Sequence, residues 1–533
     1  MKTDSSMSLF GVLRVVLIFI FASISSMSQN SWVPDPSFGD DGIKRINFGT
    51  NYSDMPNDIL LQSDGRILTA GQSTSSFNYY IALSQLLPNG QPDVSGFGID
   101  GQVSLHFVLR DHANDIELQP DGKILVVGTE AIGNGSSQVT PALYRFNEDG
   151  SLDTTFADSG KAVHRFNGNL AGEMYGIKVL SDGRILTAGF RTGSGAFGLM
   201  RFLPDGERDF SFGTGGEAVL SVATTYHSVG CLFLGDSAVV MATVAFTNGL
   251  TQFVLGMMDS SGSPVSSFGN NGIVLTGTSG LYNFSGGESL ALTNDDKILL
   301  SGTSPDNGPT SFSTFRFYLN GEIDSTFGAN GRTDIQFASG DVCHNMKVDG
   351  NGKILLVGKT NISFGRAALA RLNPDGTPDT SFAPEGKFTI DLNNNTGTQY
   401  LTNSIPLDNG DILAVGYDFA SNSGDFMITR LTQNPTGIDE QTNIHPQDYV
   451  LYQNYPNPFN PTTKIKFSLP VRDYVTLKVF DILGNEVAIL VNEEKERGVY
   501  NVNFDASQLA GGIYLYRLQA GSFVETKKMI LIK

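Results

Sequence analysis

Two charged residue types recur in step along this chain. Arg145, Arg201, Arg316 and Arg371 each precede, by the same interval, Asp153, Asp209, Asp324 and Asp379, and each of these Asp residues stands three positions before a Phe. Arg430 and Asp35 fit the same places by motif. Near the beginning Gln85 replaces the Arg while Asp93 is kept, and at one junction both charges are lost, as Met257 and Val265. A guanidinium and a carboxylate make a strong, charge-assisted hydrogen bond. A group repeated many times cannot mark one active site, so the pattern reads as a structural clasp between repeats. The remaining candidates for chemistry are thinner. His106, His112, His164, His227, His344 and His445 show no metal-ligand spacing. No Gly-x-Ser-x-Gly stands between a strand and a helix, so a nucleophile elbow is not expected. Asp349-Gly350-Asn351-Gly352-Lys353 and Asp408-Asn409-Gly410-Asp411 have the flavour of calcium loops. They lack the terminal bidentate Glu, and hairpin-turn chemistry accounts for them, so neither a metal nor a cofactor is expected.

The elements that must carry these residues follow from periodicity. An acidic turn followed by Ile-Leu and a closing Gly recurs seven times, with its Ile position at 67, 124, 185, 238 (worn to Ala), 298, 354 and 412. Phe38, Phe97, Phe156, Phe212, Phe268, Phe327 and Phe382 keep the same beat. A fixed period means a repeat architecture. Taking Gly42 to Gly90 as the template, Ile43–Phe48, Asp58–Leu61, Arg66–Ala70 and Tyr79–Leu87 read as four strands, separated by Asp-Gly and Asn-Gly turns that supply positive φ. Helical periodicity is missing, and the period exceeds one rung of a β-solenoid. Closing the meanders into a ring leaves only short, protected edges. The expected fold is all-β: a seven-bladed β-propeller over residues 29–431. Its fourth repeat lacks the Asp-Gly turn, the closing Gly (now Ala242) and the clasp. Drift explains this; a specialised binding edge around Tyr226, His227 and Phe246 is the sharper alternative.

Leu118-Gln119-Pro120-Asp121-Gly122-Lys123-Ile124-Leu125-Val126-Val127-Gly128 and Arg371-Leu372-Asn373-Pro374-Asp375-Gly376 resemble the delta-60 repeat family, a bacterial β-propeller repeat. The resemblance covers roughly residues 33 to 431. It implies a propeller in an extracytoplasmic setting and brings no reaction with it.

Composition agrees with export. Lys2 and Arg14 precede an apolar run, Val15 to Ile24, and then Ser26-Met27-Ser28. That pattern fits a signal peptide, residues 1–28, cut before Gln29, and the run is too short for a transmembrane segment. The net charge of −19 repels phosphate backbones and anionic lipid, so nucleic acid is not an expected partner. Cys231 and Cys343 fall in repeats that are not ring neighbours, and no disulfide between them is expected.

The rhythm stops after Leu431. Residues 432–449 have a linker's composition, and residues 450–533 show six short strand-like stretches with Gly at the turns, as in a small immunoglobulin-like β-sandwich. The segment opens on Pro456-Asn457-Pro458-Phe459-Asn460-Pro461, continues through Val479-Phe480-Asp481-Ile482-Leu483-Gly484 and Gly512-Ile513-Tyr514, and ends on Lys527-Lys528-Met529-Ile530. This set is similar to the C-terminal sorting domain of the type IX secretion system of Bacteroidetes, with Phe504 where that family often has Trp. The resemblance implies that residues 456–461, Gly512, Tyr514, Lys527 and Lys528 belong to the sorting motif, that the type IX machinery is a partner, and that the protein becomes secreted or surface-displayed. In that family the domain is usually removed after export.

The expected function is therefore a secreted or cell-surface β-propeller with a binding or structural role toward a polysaccharide or protein, not an enzyme. The rival is an extracellular glycan hydrolase or lyase, which would need acids, or an acid with a His, unique to one or two blades at the channel mouth.

Overall fold

In the computed structural model the chain divides into two compact units, Met1–Gly437 and Ile438–Lys533. The residues described are 31–532 without 50–52, 76–77, 109, 132–138, 169, 193–194, 223, 226–229, 248–249, 280–289, 305–308, 362–364, 393–396, 422, 435–448, 453, 455–456, 458, 496–497 and 522. The expected leader, most of the linker, Tyr226, His227, His445, Pro456 and Pro458 lie outside them.

The first unit is built of antiparallel meanders. In the first, Asp54–Leu61 pairs with Ile67–Ser75, that strand with Asn78–Leu86, and Asn78–Leu86 with Gln102–Leu105. The same order repeats from Arg110–Leu118, Gly172–Val179, Gly230–Leu234, Leu290–Leu292 and Val342–Val348. The hairpin between the first two strands turns on positive-φ glycines such as Gly65 and Gly122. Where the fifth repeat lacks the Gly, Asp296 adopts the left-handed conformation instead, at φ 57°. The third and fourth strands are joined through the Asp-x-Ser/Thr-Phe segment, whose Phe is fully buried in every repeat.

The phase of the repeat differs from the template drawn on sequence. Ile43–Ile46 is not the first strand of the first meander. It pairs with Ser423–Asn434, next to Ile412–Ser421 and Thr398–Pro406, and so completes the last one. Ser31–Pro34 extends the same sheet, and Trp32 donates from Nε1 to the Phe382 carbonyl (2.9 Å). The alternation seen in Ile43–Phe48 identifies a strand but carries no information about which neighbour it joins. Closing the last meander with the beginning of the chain ties both ends of the unit together.

The first strands of successive meanders pack on one another, and the circuit closes where Thr398–Pro406 meets Asp54–Leu61. Across that closure Asn403 Nδ2 donates to Asp58 Oδ1 (2.9 Å), and Asp58 Oδ2 accepts from the Ile116 amide of the next meander (3.1 Å). Asp115 repeats the device toward the Ile177 amide (2.9 Å). The core between meanders is a series of apolar clusters that each draw from adjacent repeats, for example Leu125, Phe156 and Met174. This unit is a β-propeller.

The second unit is a two-sheet sandwich. Val450–Leu451, Thr462–Leu469 and Gly498–Asp505 form one sheet. Glu486–Lys495, Asp473–Phe480, Gly512–Ala520 and Phe523–Leu531 form the other. Strict alternation puts Val475, Leu477, Val479, Tyr516 and Leu518 into a shared core with Ile465, Phe467 and Phe504.

Candidate functional site

The recurring Arg and Asp meet in every repeat that carries both. Arg145 Nε lies 2.7 Å from Asp153 Oδ2, Arg201 2.7 Å from Asp209, Arg316 2.8 Å from Asp324 and Arg371 2.8 Å from Asp379. Arg430 donates to Asp35 at 2.7 Å, drawing the end of the propeller onto its beginning. In the first meander Gln85 stands in for the Arg and donates to Asp93 (3.0 Å). Each guanidinium also sits over the motif Phe of its own repeat, 4.4 Å above Phe156 and 4.6 Å above Phe382, a cation–π contact.

The carboxylate belongs to the same meander as its Arg, so the ion pair itself does not cross a junction. The guanidinium does: Arg145 Nη1 reaches the Pro204 carbonyl (2.9 Å) and Arg316 Nη1 the Pro374 carbonyl (2.5 Å), both in the next meander. The residue after the Phe adds a backbone stitch, as in Gly98 to Asp149 and Gly328 to Asp375, each 2.8 Å.

A second cation in the cluster is absent from the sequence reading. The basic residue just before Ile-Leu joins the same carboxylate: Lys123 on Asp153 (3.0 Å), Lys297 on Asp324 (2.9 Å), Lys353 on Asp379 (3.1 Å). Its signal was visible as the Lys or Arg between the turn Gly and the Ile. Burial pushes the carboxyls of Asp209 and Asp379 up, but bonds from Ser211 and Arg201, and from Ser381 and Lys353, outweigh it and hold both at about 2.

The fourth meander breaks this arrangement. Ser260-Ser261-Gly262 stands where the third has Pro204-Asp205-Gly206, and the Arg201 bond across the junction lengthens to 3.3 Å. A polar cleft of about 480 Å³ opens there, lined by Asp182, Arg184, Ser211, Asp236, Ser260 and Ser261. Phe246 and Leu275, in the same meander, are exposed.

A second feature confined to one meander lies beside the first junction. The Asp that starts a first strand caps the preceding loop in several repeats; Asp54 faces Ser73 in register, but Asp111 faces Glu130. Asp111 Oδ2 accepts from the Phe107 and Val108 amides (2.6 and 3.1 Å), and its other oxygen is buried with no hydrogen-bond partner among the described residues. Glu130 accepts from Tyr144 Oη (3.0 Å) and Lys161 Nζ (2.8 Å). Burial, with the Glu130 charge adding to it, pushes the Asp111 carboxyl up to about 6 against the pull of the two amides. Alternation puts Arg110 and His112 on the other side of the strand, beside Tyr79. Burial and the Arg110 charge depress His112 to about 4. Sequence reading passed over this group because Glu130 has no motif around it; only comparison with Ser73 at the same repeat position reveals it.

The other candidates have structural surroundings. Asp349 Oδ1 accepts from the Asn351 and Lys353 amides, and Asn409 bonds Asp411, so these turns use their own side chains. His344 stacks on Tyr400 (5.1 Å) and His164 lies against Phe202 (5.7 Å). Cys231 and Cys343 are separate buried thiols. Among the described residues no three His, Cys, Asp or Glu side chains are placed to hold a metal ion.

In the sandwich, the opening and closing motifs are one structure. The Phe459 amide donates to the Ile530 carbonyl and the Ile532 amide to the Phe459 carbonyl, both 2.9 Å, while Asn457 Oδ1 accepts from the Ile530 amide (2.8 Å). Tyr516 Oη, two residues past Tyr514, donates to the Tyr452 carbonyl and accepts from the Asn454 amide. Phe459 is buried against Phe504, with ring centroids 6.2 Å apart. Residues 453–533 match the family described as the secretion system C-terminal sorting domain. Residues 62–95, 119–156, 180–212, 293–327 and 350–382 match the beta-propeller domain of unknown function DUF5122. The chain carries DUF5122 propeller repeats and a secretion sorting tail. It is a protein of the type IX route, exported to the cell surface or secreted.

No curated protein matches the sequence. Among solved structures, PorZ, a surface component of the type IX secretion system of Porphyromonas gingivalis, is 12% identical, covering 88% of this chain and 68% of its own, with a TM-score of 0.32. An ulvan lyase of polysaccharide lyase family PL25 is 12% identical over 72% of this chain and 95% of its own, TM-score 0.41. Drosophila Semaphorin 2a is 8% identical over 92% and 97%, TM-score 0.40. Among the described residues no helix is long and apolar enough to cross a membrane.

Proposed function

We propose that the DUF5122 propeller is a binding module, and that the sorting tail delivers it to the outside of the cell. The cleft at the third and fourth meanders carries this reading. Here Ser260-Ser261 replaces the Pro-Asp turn of the third meander, and serine hydroxyls, Arg184 and Arg201 (both paired with Asp209) and the Asp182 and Asp236 carboxylates line a space of about 480 Å³. Such a lining pairs with the hydroxyls of a polysaccharide or with the backbone of a protein loop. The test is to probe the purified propeller on glycan and protein arrays, alongside Ser261→Trp, which fills the cleft. Binding by the wild type that the Trp variant loses is the expected outcome. Equal binding by both proteins, or no binder at all, sinks the reading.

The second reading, a glycan-cleaving enzyme, draws on the Asp111 and Glu130 carboxylates, which face each other in register in the second meander alone among the described residues. An acid raised to about 6 by burial and a neighbouring carboxyl is the kind of pairing that glycoside hydrolysis uses. Incubating the propeller with soluble acidic and neutral polysaccharides decides it: new reducing ends that vanish in Asp111→Asn favour the enzyme.

A further inference from the structure

Residues 450–533 carry ten Lys and Arg against eight Asp and Glu, a net of +2. The whole chain is −19, so the preceding 449 residues carry −21. The sorting unit therefore differs in charge from the protein it exports, and its positive side chains are not evenly spread. On the four-stranded sheet the inward positions are core, and the outward positions of the two central strands and the last strand bring together Lys478, Phe480, Ile513, Arg517, Lys528 and Ile530. Their registers are direct: Lys478 opposite Arg517, and Ile513 opposite Ile530. Glu486 of the edge strand lies opposite Phe480 and pairs with Lys478 (2.8 Å), so the positive charge of the face is carried by Arg517 and Lys528. Ile513 is 46% exposed, and Arg517 and Lys528 are exposed.

At the same end of this sheet lies the turn Asp481–Asn485. It is built to hold one shape: Asp481 Oδ1 accepts from the Leu483 and Asn485 amides (both 2.9 Å), Oδ2 accepts from Asn485 Nδ2 (2.8 Å), and Gly484 takes φ 86°. Yet the two side chains this turn presents are Ile482 and Leu483, 70% and 82% exposed. A well-ordered turn with two apolar side chains in water, continuous with an apolar and basic sheet face, is the composition of an unfilled interface. Three stretches far apart in sequence, around residues 480, 513 and 528, meet on it.

We propose that this face, with Ile482 and Leu483 at its edge, is the surface by which the sorting tail docks on the export machinery, and that its counterpart is an apolar strip bordered by carboxylates. The proposal rests on the sorting assignment of residues 453–533. The sign of the partner follows from charge complementarity: a basic patch is attracted to an acidic receptor, which repels the propeller, residues 29–431, at −19.

The experiment uses the full chain in a bacterium with type IX machinery. Four proteins are compared by fractionation: wild type, Ile482→Ser with Leu483→Ser, Arg517→Glu with Lys528→Glu, and Lys464→Glu, a charge reversal on the other sheet. Proteolysis of the purified chains checks that each tail stays folded. The expected result is at least a tenfold loss of external protein, with periplasmic accumulation, for both variants on the proposed face, and none for Lys464→Glu. Normal export of both face variants overturns the proposal, as does equal loss in the Lys464→Glu control. So does dimerisation of the wild type through this face with export unaffected by the substitutions, which would assign it to a second copy. Deleting residues 450–533 separates the two levels: if that deletion leaves export intact, the sorting assignment itself has failed.

Discussion

At the residue scale, the clasp and the buried acid of the second meander answer to pH with opposite signs. The clasp carboxyls are depressed to about 2 at Asp209 and Asp379, below an ordinary unfolded value of 3.8. Their stabilisation is complete above that ordinary value and is lost as pH falls from about 4 toward 2. Arg371→Ala removes the guanidinium from Asp379 and from the face of Phe382 while leaving Lys353 in place. A loss of ~1.5–3 kcal/mol, the range for hydrogen bonds to charged groups, is expected in denaturant unfolding; an unchanged midpoint would count against the clasp. Asp111 behaves in reverse. Its folded value of about 6 lies above 3.8, so its contribution is fully present below pH 4 and lost as pH rises through 6. Asp111→Asn keeps an acceptor for the Phe107 and Val108 amides without a charge. Relative to wild type it should gain stability between pH 4 and pH 8, on the order of 2–3 kcal/mol. A difference in melting temperature that stays flat across that range contradicts the buried ionisation.

At the scale of elements, the sequence carried the strands, the turns and the pairing partners within the clasp, because each is a local pattern repeated many times. Asp64-Gly65 and its copies mark the hairpins, and the Arg-to-Asp interval survives from repeat to repeat. Phase was not legible. Ile43–Ile46 looks like any other half-buried strand, and only its register against Phe426–Thr429 shows that it belongs to the last meander. The same holds for the acid pair at Asp111 and Glu130, which lie nineteen residues apart and meet only through antiparallel register. Sandwich strands were readable from alternation, but the bond between Phe459 and Ile530 was not, since a Pro-rich segment announces a break rather than a partner. The closing strand yields a prediction of its own. Removing residues 31–46 strips Trp32, Asp35, Phe38 and Ile43 from the last meander and leaves Ser423–Asn434 as an unpaired edge. The shortened propeller should unfold in two steps, or aggregate, where the intact one unfolds cooperatively. Hydrogen exchange localises the damage; protection at residues 412–431 equal to wild type would contradict a closing role.

At the scale of the whole molecule, the two units have separate cores, and residues 450–533 are net positive where the 449 before them are strongly negative. The propeller's stability comes from junctions that run from one meander to the next and back to the beginning of the chain, and among the described residues these junctions are built from residues 31–434. The sandwich likewise satisfies its opening segment with its own last strand, through Asn457, Phe459 and Ile530. Each should therefore fold alone, which suits a delivery tail whose cargo acts after the tail has served. Deleting residues 450–533 is expected to leave the melting temperature of the propeller within about 2 °C of its value in the full chain, since surface changes away from shared packing stay near ±0.5 kcal/mol. The same deletion should strand the protein in the periplasm. Calorimetry and fractionation read the two consequences independently. A propeller that unfolds without its tail would mean the units stabilise each other, and a tailless protein found outside at normal yield would mean that export is encoded elsewhere in the chain.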